Sequence, residues 1–300
     1  MEPTAPIAPL PAMTAAPAAC ATRGLRLAQG VVDRVHGRQH DATVQALAPQ
    51  QVAQLLEQCE NLSPAARTTR LLAAAVRAVG PCSPLDEALA RQLTAGDREA
   101  LLLALHDVQF GGRMHARLAC PHCVAALELD LAVDELLLPD RVAASLPPCE
   151  VADPQAGMVR LQLRLPTGAD LEQAAHDAAI DPDAATRALL ERCVQSACDL
   201  EGRAVSLSAP LLQAAADAIA AGDPQAEIAL VLDCPQCSAR FEALFDTARF
   251  VFDRLEAMAR DFWREVHDIA TRYHWSESDI VALPPSRRRR YLQMIRSEAA

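Results

Sequence analysis

Apolar residues recur every three or four positions through residues 46–112, which is the spacing that places one buried stripe on an α-helix. Prolines and glycines interrupt this pattern and divide it into separate helices. One helix is predicted to begin at Thr94, which has the spacing of a capping box with Asp97, and to end at Gly111. The pattern therefore predicts a helical region over residues 46–112.

The hydrophobic period changes from 3.6 to 2 around two Cys-Pro-x-Cys motifs. Alternating apolar and polar residues lead into Cys120 and Cys123 and continue after them, and the same alternation surrounds Cys234 and Cys237. The flanking positions match at one constant offset, since Cys234 lies 114 positions after Cys120. The sequence therefore predicts an internal repeat of one β-hairpin, with a cysteine pair in each turn.

The two hairpins are predicted to belong to an α+β core over residues 113–246, with a strand in "MVRLQLRLP" between them. A long amphipathic helix is expected from about Thr247 to Tyr273, within a C-terminal helical region over residues 247–300 that we assign to partner binding. The expected fold class is α+β and mostly helical, with two split zinc-ribbon-like hairpins and helical insertions. Further helices are predicted near 168–179, 183–197 and 209–221 and after Ser276 and Ser286.

Residues 1–45 are predicted to be a disordered tail, because the chain begins with an Ala/Pro-rich stretch. This stretch lacks the basic segment and the unbroken apolar run of a secretory signal. No run of the sequence approaches the ~18 apolar residues of a membrane span. We therefore expect a soluble protein that is made and located in the cytoplasm.

Charge and composition exclude several classes of function. The net charge is −11, whereas a general nucleic-acid binder normally carries a basic stripe. All 28 basic residues are arginine, so the chain has no lysine for a P-loop, a Schiff base or a kinase-type phosphate site. Glycine-rich nucleotide loops, a serine nucleophile elbow and a His-Glu-x-x-His helix are also missing from the sequence. We expect no catalytic residues.

The cysteine motifs predict a metal site. A Cys-Pro-x-Cys turn holds two thiolates close together, and two such turns complete a tetrahedral four-thiolate zinc site. The expected ligands are Cys120, Cys123, Cys234 and Cys237, with one Zn²⁺ per chain. Since such a site is coordinatively closed, the zinc is expected to be structural and to hold together hairpins that are distant in sequence.

Two other readings of the cysteine pairs stay open. A thioredoxin-like dithiol would require a strand-to-helix junction, whereas strands flank both pairs here. The hairpins could also be a metal-free vestige of a former site. His122 lies between two predicted ligands and could bind metal, although a solvated turn residue is the simpler role. The other cysteines show no ligand spacing, and Cys193 and Cys198 are expected on one helix.

Two clusters near the C-terminus have an ordinary structural explanation. The arginines at 287–290 could contact nucleic acid, but a solvated helix face or an acidic protein partner fits the acidic chain better. His267, Tyr273, His274 and Trp275 lack the nucleophile and carboxylate that a catalytic histidine needs. Trp275 is therefore expected to pack the terminal helices together or to lie in an interface.

The segment "LTAGDREALLLALHDVQFGGRMHARLACPHCVAALELDLAVDELL" resembles the T4-like phage baseplate protein family of contractile tails and related bacterial contractile injection systems. The similarity continues through "VRLQLRLPTGADL", the second cysteine hairpin and "REVHDIATRYHWSESDIVALPPSRRRRYL", and it covers roughly residues 85–295. The resemblance implies a non-enzymatic baseplate or hub component, or a helper in its assembly, whose partners are other tail proteins. It carries over only the four cysteines as metal ligands.

The sequence thus leads to one main hypothesis, an assembly protein of a contractile tail or injection system with a structural zinc. Such a protein would be cytoplasmic during assembly and could remain in the finished particle. A zinc-ribbon regulator that binds nucleic acid is the alternative, and a thiol oxidoreductase is a third hypothesis.

Overall fold

The computed structural model describes residues 7–9, 21–33, 35–82, 84–138 and 146–299, and it has a mixed α+β fold. The chain divides into two compact units. The first unit comprises Met1–Ala46 and Asn61–Phe250, and the second comprises Leu47–Glu60 and Val251–Ala300.

Part of the predicted tail is ordered sheet, so the prediction of disorder for this part was wrong. Strands β2 (Thr22–Asp33) and β3 (Gly37–Gln45) pair antiparallel, and a short strand, Ala8–Pro9 (β1), pairs with a later hairpin. Buried residues such as Leu27 and Val44 alternate with exposed ones, but arginine, glycine and glutamine between them obscure the pattern in the sequence. Residues 1–6, 10–20 and 34 of the predicted tail lie outside the described residues.

In the predicted helical region, the described residues form four helices and one strand. Strand β4 (Val76–Val79) pairs with β3, so the first sheet has the order β2-β3-β4. Ser63 and Thr94 cap the helices that begin at Pro64 and Ala95 through their hydroxyl groups, as short polar residues at helix N-termini commonly do. The helices are α1 (Pro49–Gln58), α2 (Pro64–Ala75), α3 (Glu87–Ala90) and α4 (Ala95–Phe110).

Asp97 has a different role from the capping box predicted for it. Its carboxylate accepts backbone N–H groups of Ala28 (2.8 Å), Gln29 (3.1 Å) and Gly30 (2.6 Å), where β2 bulges away from β3. These N–H groups lack ladder partners because of the bulge, and the buried carboxylate satisfies them. Asp97 therefore attaches the first turn of α4 to the first sheet.

Two hairpins form at the predicted places. The first consists of β5 (Arg113–Ala119) and β6 (Ala126–Ala132), and the second of β10 (Ile228–Asp233) and β11 (Arg240–Phe245). Their registers are identical at the turn, since Leu118 pairs with Leu127 and Leu232 with Phe241. The apolar faces of both hairpins contribute to one buried cluster, together with Phe250.

A third sheet and several helices lie between the hairpins in sequence. Strands β7 (Cys149–Asp153), β8 (Gly157–Leu163) and β9 (Val194–Asp199) form this sheet, and β8 supplies buried residues that pack with the helix Ala209–Gly222. The helix predicted over 183–197 ends at Cys193. Cys198 therefore lies on β9 and not on a helix, because β9 pairs with β8. The helices are α5 (Val133–Leu136), α6 (Gly168–Ala178), α7 (Pro182–Cys193) and α8 (Ala209–Gly222), followed by a 3₁₀ turn at Pro224–Ala226.

The second unit is helical, as predicted for the C-terminal region. Helix α9 (Thr247–Tyr273) contains the boundary between the units, and α10 (Glu277–Val281) and α11 (Pro285–Ala299) follow it. The predicted apolar stripe of α9 is buried at Val251, Leu255, Phe262, Val266 and Ile269, and partly buried at Met258.

Arg288 corrects the prediction that the arginine run is a solvated face. This side chain is only 4% exposed. Its guanidinium group lies over the ring of Phe262, 5.2 Å from the ring centroid, and donates to the carbonyl oxygen of Leu283 at 2.7 Å. One arginine of the run therefore fixes α11 within the second unit, and the others stay exposed.

The start of α6 is held by an ion pair. Asp170 accepts from both terminal nitrogens of Arg164 (2.6 and 2.9 Å) and from the N–H and hydroxyl of Thr167. Burial by itself would raise the pKa of Asp170, but the hydrogen bonds from Arg164 and Thr167 outweigh it and lower that pKa to about 2. The charged carboxylate therefore stabilises the folded chain above the ordinary pKa of aspartate, and this contribution is lost as the pH falls from about 4 toward 2.

We expect the Asp170→Asn substitution to lower the free energy of unfolding by about 1–2 kcal/mol at pH 7, a value reduced by solvent screening because Arg164 is partly exposed. Urea unfolding between pH 3 and pH 7 measures this difference, which should shrink below about pH 4. The exposed Asp183 provides the control, since Asp183→Asn should change stability by less than about 0.5 kcal/mol. A difference for Asp170→Asn that is the same at every pH would contradict the assignment.

Candidate metal centre

The turns of the two hairpins have the same backbone geometry. In the first, the N–H of Cys120 donates to the Ala125 carbonyl at 2.8 Å, and the N–H of Val124 donates to the Cys120 carbonyl at 2.9 Å. Cys234, Ala239 and Ser238 repeat both bonds at 2.9 and 2.8 Å. In each turn the residue after the second cysteine is left-handed, with φ of 60° at Val124 and 58° at Ser238. The sequence repeat is therefore also a structural repeat, down to an unusual backbone conformation.

The structure brings all four predicted ligands together. Their sulfur atoms all lie within 4.8 Å of one another. Cys120 Sγ is 3.7 Å from Cys237 Sγ, and Cys123 Sγ is 3.6 Å from Cys234 Sγ. Each of these contacts joins the first cysteine of one turn to the second cysteine of the other. The cluster thus has pseudo-twofold symmetry, as expected where two copies of one hairpin face each other.

The sulfur spacing fits a tetrahedral metal ion. A tetrahedron with metal–sulfur bonds of about 2.3 Å has sulfur–sulfur edges of about 3.8 Å. Two of the sulfur–sulfur distances between the turns, 3.6 and 3.7 Å, are close to this edge. A disulfide needs about 2.05 Å, and the four cysteines are free thiols. The cluster is therefore a possible tetrahedral metal site, compatible with a structural metal.

Burial and acidity differ among the four thiols. Cys120 and Cys234 are 1% and 2% exposed, whereas Cys123 and Cys237 are exposed. Backbone N–H groups, first that of Cys237, lower the pKa of Cys234 to about 6. At Cys123 the N–H of Ala125 lowers the pKa, but desolvation and the neighbouring thiols outweigh it and raise that pKa to about 12. Four thiolates at these distances would repel one another without a compensating cation.

The surroundings do not resemble a dithiol active site. Each cysteine pair lies between two strands, and the turn is not followed by a helix whose N-terminus would stabilise a thiolate. His122 is exposed and is not part of the sulfur cluster. Its backbone N–H lies 3.4 Å from Cys120 Sγ and its ring faces the edge of Phe241. The geometry thus agrees with the expectation that His122 is a solvated turn residue.

The remaining described cysteines lie away from the cluster. Cys59 and Cys193 are buried, and Cys82, Cys149 and Cys198 are partly buried; Cys20 lies outside the described residues. Among the described residues, the four-sulfur group is the one cluster of potential metal ligands. The sequence identified these four residues by spacing, but it gave no signal for the left-handed conformation at Val124 and Ser238.

Comparison of the chain with protein-family models, with curated proteins and with solved structures finds no match. The resemblance to the baseplate family therefore stays a prediction. In the part of the chain that the structure describes, no helix has the length and apolar character needed to cross a membrane.

Changing one ligand should remove the metal. We expect purified wild-type protein to contain about one zinc per chain by elemental analysis, and Cys234→Ser to lose it together with cooperative unfolding. Cys198→Ser is the matched control, because Cys198 lies on β9 outside the cluster, and it should retain the metal. A wild-type protein that is metal-free and fully folded would contradict a metal centre at these cysteines.

The left-handed turn residue offers a separate test of the hairpin geometry. Val124 is 78% exposed, so a change to glycine removes little packing but relieves a β-branched residue from positive φ. We expect Val124→Gly to raise the free energy of unfolding by about 1 kcal/mol in urea. Val231→Gly, at an exposed strand position of β10, should instead lower it. Destabilisation by Val124→Gly would show that the turn has another conformation.

Proposed function

We propose that Cys120, Cys123, Cys234 and Cys237 bind one Zn²⁺ as thiolates. The observation that carries this proposal is the set of four sulfur atoms within 4.8 Å of one another, contributed by two copies of the same hairpin turn. Thiolates in tetrahedral arrangement favour zinc or an iron–sulfur cluster, and a single ion is what edges near 3.7 Å accommodate. The hairpins would then form a zinc-ribbon-like pair in which each turn supplies two ligands.

The role proposed for this zinc is structural. Four protein ligands leave no position for water or substrate, so the ion would contribute to folding and not to catalysis. It would join segments that are 111 to 117 residues apart along the chain, whose association otherwise depends on hydrophobic packing of the hairpin faces. We accordingly propose that the protein is not an enzyme.

The cellular role proposed is that of a baseplate or hub component, or an assembly helper, in a contractile tail or injection system. Its support is the sequence pattern in which "GDREALLLAL" precedes the first cysteine hairpin, followed by the second hairpin and the basic C-terminal segment. In the structure this pattern corresponds to α4 and the adjoining β5, which share the buried cluster through Leu103 and Met114. The partners would be other tail proteins, with the C-terminal helical region as the binding surface.

Deletion of the gene tests this role directly. In the cell that encodes the chain, we expect the deletion to reduce the number of assembled, sheathed tails by at least tenfold in electron micrographs. A plasmid with the wild-type gene should restore assembly, and Cys120→Ser should not, because the hairpins would lose their metal. Cys149→Ser should restore it, since Cys149 lies on β7 outside the cluster.

Two outcomes would overturn the assembly role. Normal numbers of sheathed tails in the deletion strain would exclude a necessary role in assembly. Flanking genes without sheath, tube or spike proteins, combined with salt-dependent retention of the purified protein on DNA or RNA, would favour the zinc-ribbon regulator instead. Immunoblots of purified particles then distinguish a resident component from a helper that leaves.

A further inference from the structure

We propose that a patch on the second unit binds an acidic protein segment that carries a bulky apolar side chain. This aromatic–arginine patch lies where the end of α9 meets α11. The acidic segment would belong to a partner protein of the assembly role proposed above, and the inference rests on that role. The patch consists of Tyr273, Trp275, Arg287, Arg290, Tyr291 and Met294.

Three rings form the centre of the patch. The rings of Tyr273 and Trp275 stack with centroids 5.3 Å apart, and Tyr291 meets both edge-on at 5.4 and 5.0 Å. The chain contains only two tyrosines and two tryptophans, and this cluster holds both tyrosines and one tryptophan. The rings nevertheless remain partly accessible, since Trp275 is 36% exposed and the tyrosines are of intermediate burial. An aromatic-poor protein thus places most of its large amphipathic rings at one accessible spot.

The backbone holds this cluster in place before any partner binds. His274 ends α9 in a left-handed conformation with φ of 56°, and its N–H donates to the Ala270 carbonyl at 2.8 Å. Directly after this left-handed residue, the ring of Trp275 stacks on that of Tyr273. On α11, the buried Arg288 is fixed over Phe262, as described above. Preorganised aromatic groups bind with a smaller entropy cost than mobile ones.

The exposed face of α11 combines apolar and positive groups. Arg287, Tyr291 and Met294 follow the i, i+4, i+7 spacing of one helix face, and Arg290 lies beside them. Met294 is 40% exposed and both arginines are exposed, whereas Leu292 on another face is buried. Tryptophan, tyrosine, methionine and arginine are the residue types that are enriched at the centres of protein interfaces.

The charge of the patch identifies the partner. Among the described side chains, none forms an ion pair with Arg287, Arg289, Arg290 or Arg296, although the chain as a whole has a net charge of −11. Unpaired arginines beside an accessible aromatic cluster complement carboxylates that flank a bulky apolar residue. Nucleic acid is disfavoured as the partner because the chain as a whole has a net charge of −11, whereas proteins that bind nucleic acid normally carry a net positive charge.

Peptide display on the full-length protein tests the partner chemistry. A library of random 12-residue peptides is selected on the wild-type chain, and the dissociation constant of the best peptides, carrying a fluorescent label, is measured by fluorescence anisotropy. We expect enrichment of Asp and Glu around one aromatic residue or leucine, and affinity that falls as the salt concentration rises. A 20-nucleotide single-stranded DNA serves as the nucleic-acid probe.

Variants locate the binding site. Trp275→Ala and the double variant Arg287→Glu/Arg290→Glu should each weaken the selected peptides at least tenfold. The double variant Arg249→Glu/Arg260→Glu makes the same change in net charge at exposed arginines of α9 outside the patch, and it should bind normally. Circular dichroism and zinc content establish that each variant is folded and retains its metal.

Three results would overturn the patch: no enrichment of acidic peptides, equal binding by the patch variants and the control, or binding of the DNA in preference to the peptides. These results are separable from the fate of the assembly role. If peptide binding requires Trp275 but deletion of the gene leaves tails intact, the binding patch is supported and the assembly role is contradicted. If the Trp275→Ala gene restores tails and the selection yields no acidic peptides, only the binding patch is contradicted.

Discussion

The contact between the two hairpin turns is the constraint on which the first unit depends. Two segments, 111 to 117 residues apart, place four sulfur atoms within 4.8 Å. The same segments share a buried cluster in which Leu118 and Leu127 of one hairpin and Phe245 of the other take part. Hydrophobic burial brings the hairpin faces together, and the turns then meet at the spacing that a tetrahedral metal ion requires. The residues between the two hairpins therefore fold as a segment whose two ends lie next to each other.

Repetition of one hairpin explains the form of this contact. Because the two turns share register, hydrogen bonds and a left-handed residue, they meet as near-equivalent partners, and each first cysteine lies next to the other turn's second cysteine. Four thiols arranged in this way are compatible with a structural metal. Exposed arginines and accessible rings, which are residue types enriched at interfaces, lie together in the second unit.

The predictions from sequence were wrong where the local pattern was weak or where contact with a distant residue gave a side chain a different role. Residues 22–33 and 37–45 form strands, yet their alternation is diluted by polar residues and the Ala/Pro-rich start suggested a longer tail. Asp97 has the spacing of a capping box, but the unpaired N–H groups of a strand bulge some 68 residues away in sequence use its carboxylate. Arg288 resembles its exposed neighbours in sequence, and only its packing against Phe262 distinguishes it.

By itself the sequence determined the two hairpins, their matched turns, the identity of the four thiols and the extent of the long helix α9. These features follow from periodicity and turn chemistry, which act between residues a few positions apart. Only the tertiary structure decided which sulfur faces which, how the chain divides into two units, and which arginine is buried and which remain exposed. The reason is physical: these outcomes depend on contacts between segments far apart in sequence, whose relative positions are fixed by packing of the whole chain and by no local propensity.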